Sequence, residues 1–164
     1  MKVIGFGAAL VDKQFLIKDD ALNDLGIEKG LMTLNSEEEQ NELLTFLKGE
    51  NYDQISSCGG SATNSIYAAA ALGTSSGFIG KVAQDEDGEI YNSDLKDNNV
   101  EISNCITSSI GKTGNCIVLI TPDAERTMNT LIGAAAFITP EDLDTEVLKQ
   151  TKVFFAEGLS LIHI

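Results

Sequence analysis

Positive charge is scarce in this chain. Only 11 lysines and arginines stand against 25 aspartates and glutamates, a formal net charge of −14 over 164 residues. A field of that sign repels phosphate backbones and anionic headgroups, which argues against a nucleic-acid or membrane-surface partner. It leaves a small phosphorylated ligand open, because one local positive group outweighs a global field at short range. No apolar run reaches membrane-spanning length. Residues 1–7 enter a strand-like pattern directly, without the apolar core and small-residue cleavage site of a signal peptide. The cysteines, Cys58, Cys105 and Cys116, are odd in number and lack C-x-x-C spacing. Neither a disulfide framework nor a zinc site is therefore indicated, and a cytoplasmic setting is the default. What remains is a chain of 43% hydrophobic and 22% charged residues, the balance of a globular protein with one core of ordinary size.

The segments alternate. Val3 to Ala8 is an apolar run of strand length, residues 19–26 read helical, and Leu31 to Leu34 reads as a short strand. Residues 36–48 open with Ser36 and carry Glu39 three positions later, a capping box. Gln54 to Cys58 is strand-like, Ser61 to Leu72 is a small-residue helix closed by Gly73, and Ser76 to Val82 is a second buried strand. Asp85 to Asn98 is a helix with an acidic first turn. Strand and helix in alternation predict a mostly parallel sheet with crossover helices. Three short strands then follow, Glu101 to Thr107, Asn115 to Thr121 and Arg126 to Ile132. Their meander-like succession predicts a small separate sheet. A helix over Pro140 to Gln150, with Thr139 as N-cap, and a buried strand over Lys152 to Ala156 complete the pattern.

Within this frame, Cys58-Gly59-Gly60-Ser61-Ala62-Thr63-Asn64-Ser65 carries the most chemistry. Adjacent glycines let a backbone approach a ligand with no Cβ in the way, and the helix start beyond them presents free N–H groups. Asn64 adds an amide that both donates and accepts. Alone, the pattern reads first as a turn. Cys58 beside it reads as a buried filler rather than a reactive thiol.

Four stretches together carry a resemblance: Gly7-Ala8-Ala9-Leu10-Val11-Asp12, Gly59-Gly60-Ser61-Ala62-Thr63-Asn64, Gly80 to Gly88, and Thr121-Pro122-Asp123-Ala124-Glu125-Arg126-Thr127. In order and interval, from about Lys2 to Gly158, the chain resembles the N-terminal part of a PfkB/ribokinase-family carbohydrate kinase. The adenosine-kinase-like branch fits best, Ile66 standing where many ribokinases carry a small residue. The resemblance implies a truncated α/β ribokinase-like fold, a mostly parallel sheet with flanking helices plus a small β-sheet lid. It also implies ATP-dependent phosphorylation of a hydroxymethyl group on a sugar or nucleoside, and a possible homodimer through lid strands.

Position by position, Asp12 matches the acid that accepts hydrogen bonds from two sugar hydroxyls, a task suited to a carboxylate with several lone pairs and no donor. Gly59, Gly60 and Asn64 match the other contacts on the same sugar. Arg126 resembles the lid arginine that approaches the transferring phosphate, although taken alone it reads first as a solvated strand charge. Ala8 departs from the asparagine common in adenosine kinases, which leaves the acceptor open. The family's catalytic base, anion hole, nucleotide pocket and magnesium-linked acidic motif belong to its C-terminal half. ATP and Mg2+ are thus implied for the whole protein, with no catalytic residue and no metal ligand expected in this chain, and the chain by itself is expected to be inactive.

Two rivals come from other classes. Gly5-Phe6-Gly7-Ala8-Ala9-Leu10 is a partial dinucleotide fingerprint, but Leu10 occupies its third glycine position and no acid closes a second strand. A non-catalytic sugar- or nucleoside-binding module is the other. Residues 1–158 are expected to form part of a single kinase domain. Leu159-Ser160-Leu161-Ile162-His163-Ile164 reads instead as a translated transposon mosaic-end adaptor, a non-native tail. The sole histidine, His163, is therefore not assigned as a general base. Sequencing the locus from an independent library should replace these six codons; an uninterrupted native frame through them would overturn the adaptor reading.

Overall fold

The computed structural model describes residues 2–102 and 105–158. The expected tail at 159–164, with His163, lies outside the described residues. In chain order the first elements are β1 (Lys2–Phe6), β2 (Leu10–Leu16), α1 (Asp19–Leu25), β3 (Met32–Leu34), α2 (Glu37–Gly49), β4 (Gln54–Gly59) and α3 (Ser61–Ala71). They are followed by β5 (Ser75–Ala83), α4 (Glu86–Asp97), β6 (Val100–Glu101), β7 (Cys105–Ser108), β8 (Gly114–Ile120), β9 (Arg126–Leu131), α5 (Thr145–Gln150) and β10 (Val153–Ala156). The chain divides into two compact units, one of Met1–Val11, Ser57–Gly114 and Ile132–Ile164, the other of Asp12–Ser56 and Asn115–Leu131.

The first unit is built on a sheet of order β10-β1-β5-β6, with β7 also paired to β5. Its pairings are parallel, as the alternation of strands and helices predicts. Ala62 and Ile66 of α3 and Tyr91 and Leu95 of α4 pack with Phe78 and Val82 of β5 in one buried cluster. Asp85 caps α4 by accepting from the Gly88 N–H at 2.9 Å. The same carboxylate takes the Thr113 hydroxyl at 2.6 Å and the Thr113 N–H at 2.8 Å, fastening the 111–114 turn to the helix start. Gly73 follows α3 in the left-handed region at φ +81°, as expected of a residue ending a helix.

The second unit carries a sheet of order β3-β9-β8-β2-β4. β8 and β9 form an antiparallel hairpin, and β3 runs parallel to β9. Phe15, Ile117 and Leu119 from the sheet pack with Ala21 and Leu22 of α1 and Leu43 and Leu47 of α2. The capping box of α2 is present. The Glu39 N–H donates to Ser36 Oγ at 3.2 Å, and the Ser36 N–H donates to Glu39 Oε2 at 2.7 Å.

Four expectations are corrected. The strand expected at Glu101 to Thr107 is two strands, β6 and β7, with 103–104 outside the described residues, and neither joins β8 and β9. Both add to β5, which at nine residues is long enough to pair β6 at Ser76 and Gly77 and β7 from Gly80 to Ala83. β2 was not foreseen, because Asp12-Lys13-Gln14 interrupts its apolar pattern; it supplies a strand to the second sheet. The helix expected over Pro140 to Gln150 breaks in two. A capping box of Thr139 and Asp142 closes one 3-10 turn, and Asp144 then caps a fresh helix at the Glu146 and Val147 N–H groups. Two N-terminal signals five residues apart do not fit one helix. Finally, β10 is not buried. It is an outer strand, with Phe154 and Phe155 45% and 41% exposed.

Helix α3 lies close on β1. A Cβ placed on Gly5 would stand 2.3 Å from Cγ1 of Ile66, itself 1% exposed. A buried isoleucine has nowhere to retreat, so Gly5→Ala should cost about 1–3 kcal/mol through overpacking. In the Gly5→Ala background, Ile66→Ala should cost less than it does in the parent chain. Urea unfolding of the four proteins measures this coupling, and simple additivity would show that the contact does not set the spacing.

Candidate functional site

In the first unit, the candidate residues gather at the turn from β4 into α3. Gly60 stands at the N-cap of α3 with φ +93° and ψ +139°, a conformation that a side chain resists. Space is as restrictive as the dihedral, since a Cβ there would meet the Ala8 carbonyl oxygen at 2.8 Å. Gly60 offers no side-chain cap, so the N–H groups of the first turn of α3 are left to other acceptors. The Gly60 carbonyl accepts from the Asn64 N–H at 3.0 Å, and the Asn64 side chain is exposed on that turn.

The turn is held by α4. The Cys58 N–H donates to Asp94 Oδ2 at 2.9 Å, and Cys58 Sγ donates to the Tyr91 carbonyl at 3.3 Å. Thr63 Oγ1 and the Tyr91 hydroxyl share a hydrogen bond of 2.7 Å. Burial, with the Asp94 carboxylate beside it, pushes the Cys58 thiol far above its usual range. The thiolate needed for nucleophilic or redox chemistry is thereby disfavoured, in line with the filler reading. Ile66 sits in the core against Gly5. Tyr91 and Asp94 are supports that sequence reasoning missed. They lie more than 30 positions from Cys58, and only the packing of α4 brings them to the turn.

In the second unit, Asp12 and Arg126 act on one another. Burial raises the Asp12 pKa above the usual aspartate value, and the Arg126 charge draws it partly back. Asp12 lies between the buried Val11 and the core residue Phe15 on β2, out of alternation with both and hence on the other face of the sheet. The Cys116 thiol, raised chiefly by burial and held down by its hydrogen bond from Thr130, also responds to Asp12 and Arg126. Arg126 is exposed at the start of β9.

The hairpin turn that presents Arg126 is braced. The Ala124 N–H donates to the Thr121 carbonyl at 2.8 Å, and Ala124 adopts φ +65°. Thr121 Oγ1 donates to Asp123 Oδ1 at 2.7 Å. Lys29 Nζ spans Asp123 at 2.8 Å and Asp19 at 2.6 Å. Hydrogen bonds from Lys29 and Thr121 hold the Asp123 carboxyl well below the usual range. Lys29 and Asp123 are 94 positions apart, a pairing that no local motif announces.

The turn at Gly59, Gly60 and Asn64 thus belongs to one unit and Asp12 with Arg126 to the other. Among the described residues, no group of three or more histidine, cysteine, aspartate or glutamate side chains is arranged to hold a metal ion. No helix among the described residues is long and apolar enough to cross a membrane.

A family model described as pfkB family carbohydrate kinase matches residues 36–163. Fructokinase-2 of Zea mays is 33% identical over 106 residues, 63% of this chain and 32% of that protein. The adenosine kinase of Sinorhizobium meliloti superposes with a TM-score of 0.79 at 32% identity, over 96% of this chain and 47% of that one. An Anopheles gambiae adenosine kinase, in complex with P1,P4-di(adenosine-5) tetraphosphate, gives 0.85 at 27% identity, over 98% and 51%. The chain thus spans about a third of that curated relative and about half of each of these solved structures.

The raised Asp12 pKa has a definite sign. A carboxyl whose folded pKa lies above its unfolded value costs stability once ionised, and the cost is absent below the unfolded value. Asp12→Asn should therefore leave the melting temperature unchanged near pH 3 and raise it at pH 7. The gain should grow as pH climbs from the ordinary aspartate value through the folded one. Melting curves across that range measure it, and a variant less stable at pH 7 than at pH 3, relative to the parent, would contradict the burial argument.

Proposed function

We propose, because the chain belongs to the pfkB family of carbohydrate kinases, that it carries the acceptor-binding part of an ATP-dependent kinase acting on a hydroxymethyl group. The acceptor is a nucleoside or a sugar, with adenosine preferred. In this reading Gly59, Gly60 and Asn64 meet the sugar through backbone and amide, and Asp12 accepts from its hydroxyls. Arg126 serves the phosphate side, where a planar fork of donors suits phosphate oxygens. Residues 1–158 are then part of a single kinase domain.

One observation carries the reading. Gly60 occupies a backbone conformation and a space that both require glycine, directly before a helix whose first turn has no side-chain cap and which displays Asn64. A polyhydroxylated ligand matches that arrangement, since its oxygens accept from backbone N–H groups and its hydroxyls exchange hydrogen bonds with an amide. A diol would also relieve the cost of ionised Asp12, because two O–H donors stabilise the charged form that burial disfavours.

Phosphoryl transfer needs, in addition, a base for the attacking hydroxyl and charge neutralisation around the phosphoryl group, the latter supplied in part by Mg2+ bound with ATP. In this reading the base and the cation site lie outside this chain, which by itself is inactive. A homodimer through the second unit is compatible with the outer positions of β3 and β4 in its sheet. Three free cysteines accord with a reducing compartment such as the cytoplasm.

Calorimetry on the purified chain with adenosine, and separately with fructose, tests this. Saturable binding of one of them is expected. Asp12→Asn and Asn64→Ala should each weaken it about tenfold, the effect of losing one to two hydrogen bonds. Binding indifferent to both substitutions would overturn the assignment of the site. Transfer of labelled phosphate from ATP by the chain alone would overturn its inactivity.

A further inference from the structure

We propose that a groove within the second unit is a binding site for a small organic ammonium ion carrying a short apolar body and one oxygen. The groove has a volume of about 450 Å³ and lies between the end of α1, β3 and the residues flanking it, the first half of α2, and Asn129 of β9. That volume falls in the range of small-molecule sites. None of its residues is among those assigned to the sugar or the phosphate.

Its polar groups point to a ligand. Asn129 on β9 lines the groove and is 3% exposed, yet its Nδ2 has no hydrogen-bond partner. Asn35 is engaged with the Glu39 carboxylate, while its own Oδ1 is buried and unpartnered. A buried donor and a buried acceptor left unpaired are uncommon in native proteins and ask for an explanation. A molecule with an oxygen acceptor for Asn129 and an N–H donor for Asn35 supplies one.

The charge fixes the sign of that molecule. Glu28, Glu39 and Glu42 line the groove, and no lysine or arginine does. Lys29, next in the chain to Glu28, is engaged by Asp19 and Asp123 and does not neutralise them. Hydrogen bonds from Ser36 keep Glu39 ionised to lower pH than an ordinary glutamate. The α1 helix carries no basic residue in its last turn, so its carbonyl end adds to the negative potential. Leu25, Ile27 and Leu43 complete the wall and suit a short alkyl body. An anion or a nucleotide is unfavourable here.

The probe is 5-aminopentan-1-ol, titrated into the purified 164-residue chain and followed by NMR shifts of the backbone amides of Ile27 and Leu43, which line the groove, with pentan-1-ol and 5-hydroxypentanoate as controls. A saturable shift with the amino alcohol, and none with the carboxylate, is expected. Asn129→Leu should weaken binding about tenfold, the equivalent of one lost hydrogen bond to a buried partner. Glu28→Gln combined with Glu42→Gln, both at exposed positions, should weaken it severalfold and reduce its salt dependence. This second variant decides the matter if the first fails to fold. No saturable shift, equal binding of 5-hydroxypentanoate, or full affinity in the charge variant would each overturn the proposal.

Discussion

The close approach of α3 to β1 is the contact on which the first unit depends. Ile66 of α3 occupies the space a side chain on Gly5 would need, and a side chain on Gly7 would meet Ala62 of the same helix. Two glycines in and just beyond a buried strand thus let a small-residue helix sit nearer the sheet than ordinary side chains allow. Gly60 extends the same economy to the turn, where its missing Cβ clears the Ala8 carbonyl. The first turn of α3 is therefore placed by steric exclusion along β1 and held from the α4 side by Asp94, which accepts from Cys58, and by Tyr91, which bonds Thr63 and Cys58.

The second unit depends on charge as much as on packing. Its hydrophobic side, built from Phe15, Ile117, Leu119 and the two helices, is conventional. The opposite face of β2 carries Asp12, whose ionisation burial opposes and Arg126 partly restores. Arg126 in turn follows a hairpin turn anchored through Asp123 by Lys29. Ionised Asp12 thus costs stability in the folded protein, and hydroxyl donors beside it would lower that cost.

Much of the fold was legible in the sequence because its signals are local. The Ser36 and Glu39 capping box, the Asp85 cap and the closing Gly73 each act within a few residues, and each occurs where its pattern stands. Elements failed where local signals competed or partners lay elsewhere. Thr139 and Asp144 each start a helix, so the single run expected from Pro140 divided. β2 carries Asp12, Lys13 and Gln14 in its middle, which breaks the apolar alternation by which a strand is read. β6 and β7 left the expected separate sheet because the length of β5 offered both a partner.

The candidate site divides in the same way. Gly59, Gly60, Asn64, Asp12 and Arg126 could be named from the sequence only through its resemblance to a family, since each taken alone reads as a turn, a cap or a surface charge. Tyr91 and Asp94 behind the turn, Lys29 behind the hairpin, and the unpartnered amides of Asn35 and Asn129 could not. Composition and short-range preference were enough for the acidic character and for most of the strands and helices, while likeness to a family named the candidate residues. Only the tertiary structure decided which distant side chains hold them and what ionisation costs Asp12, because burial and through-space charge are properties of packed neighbours.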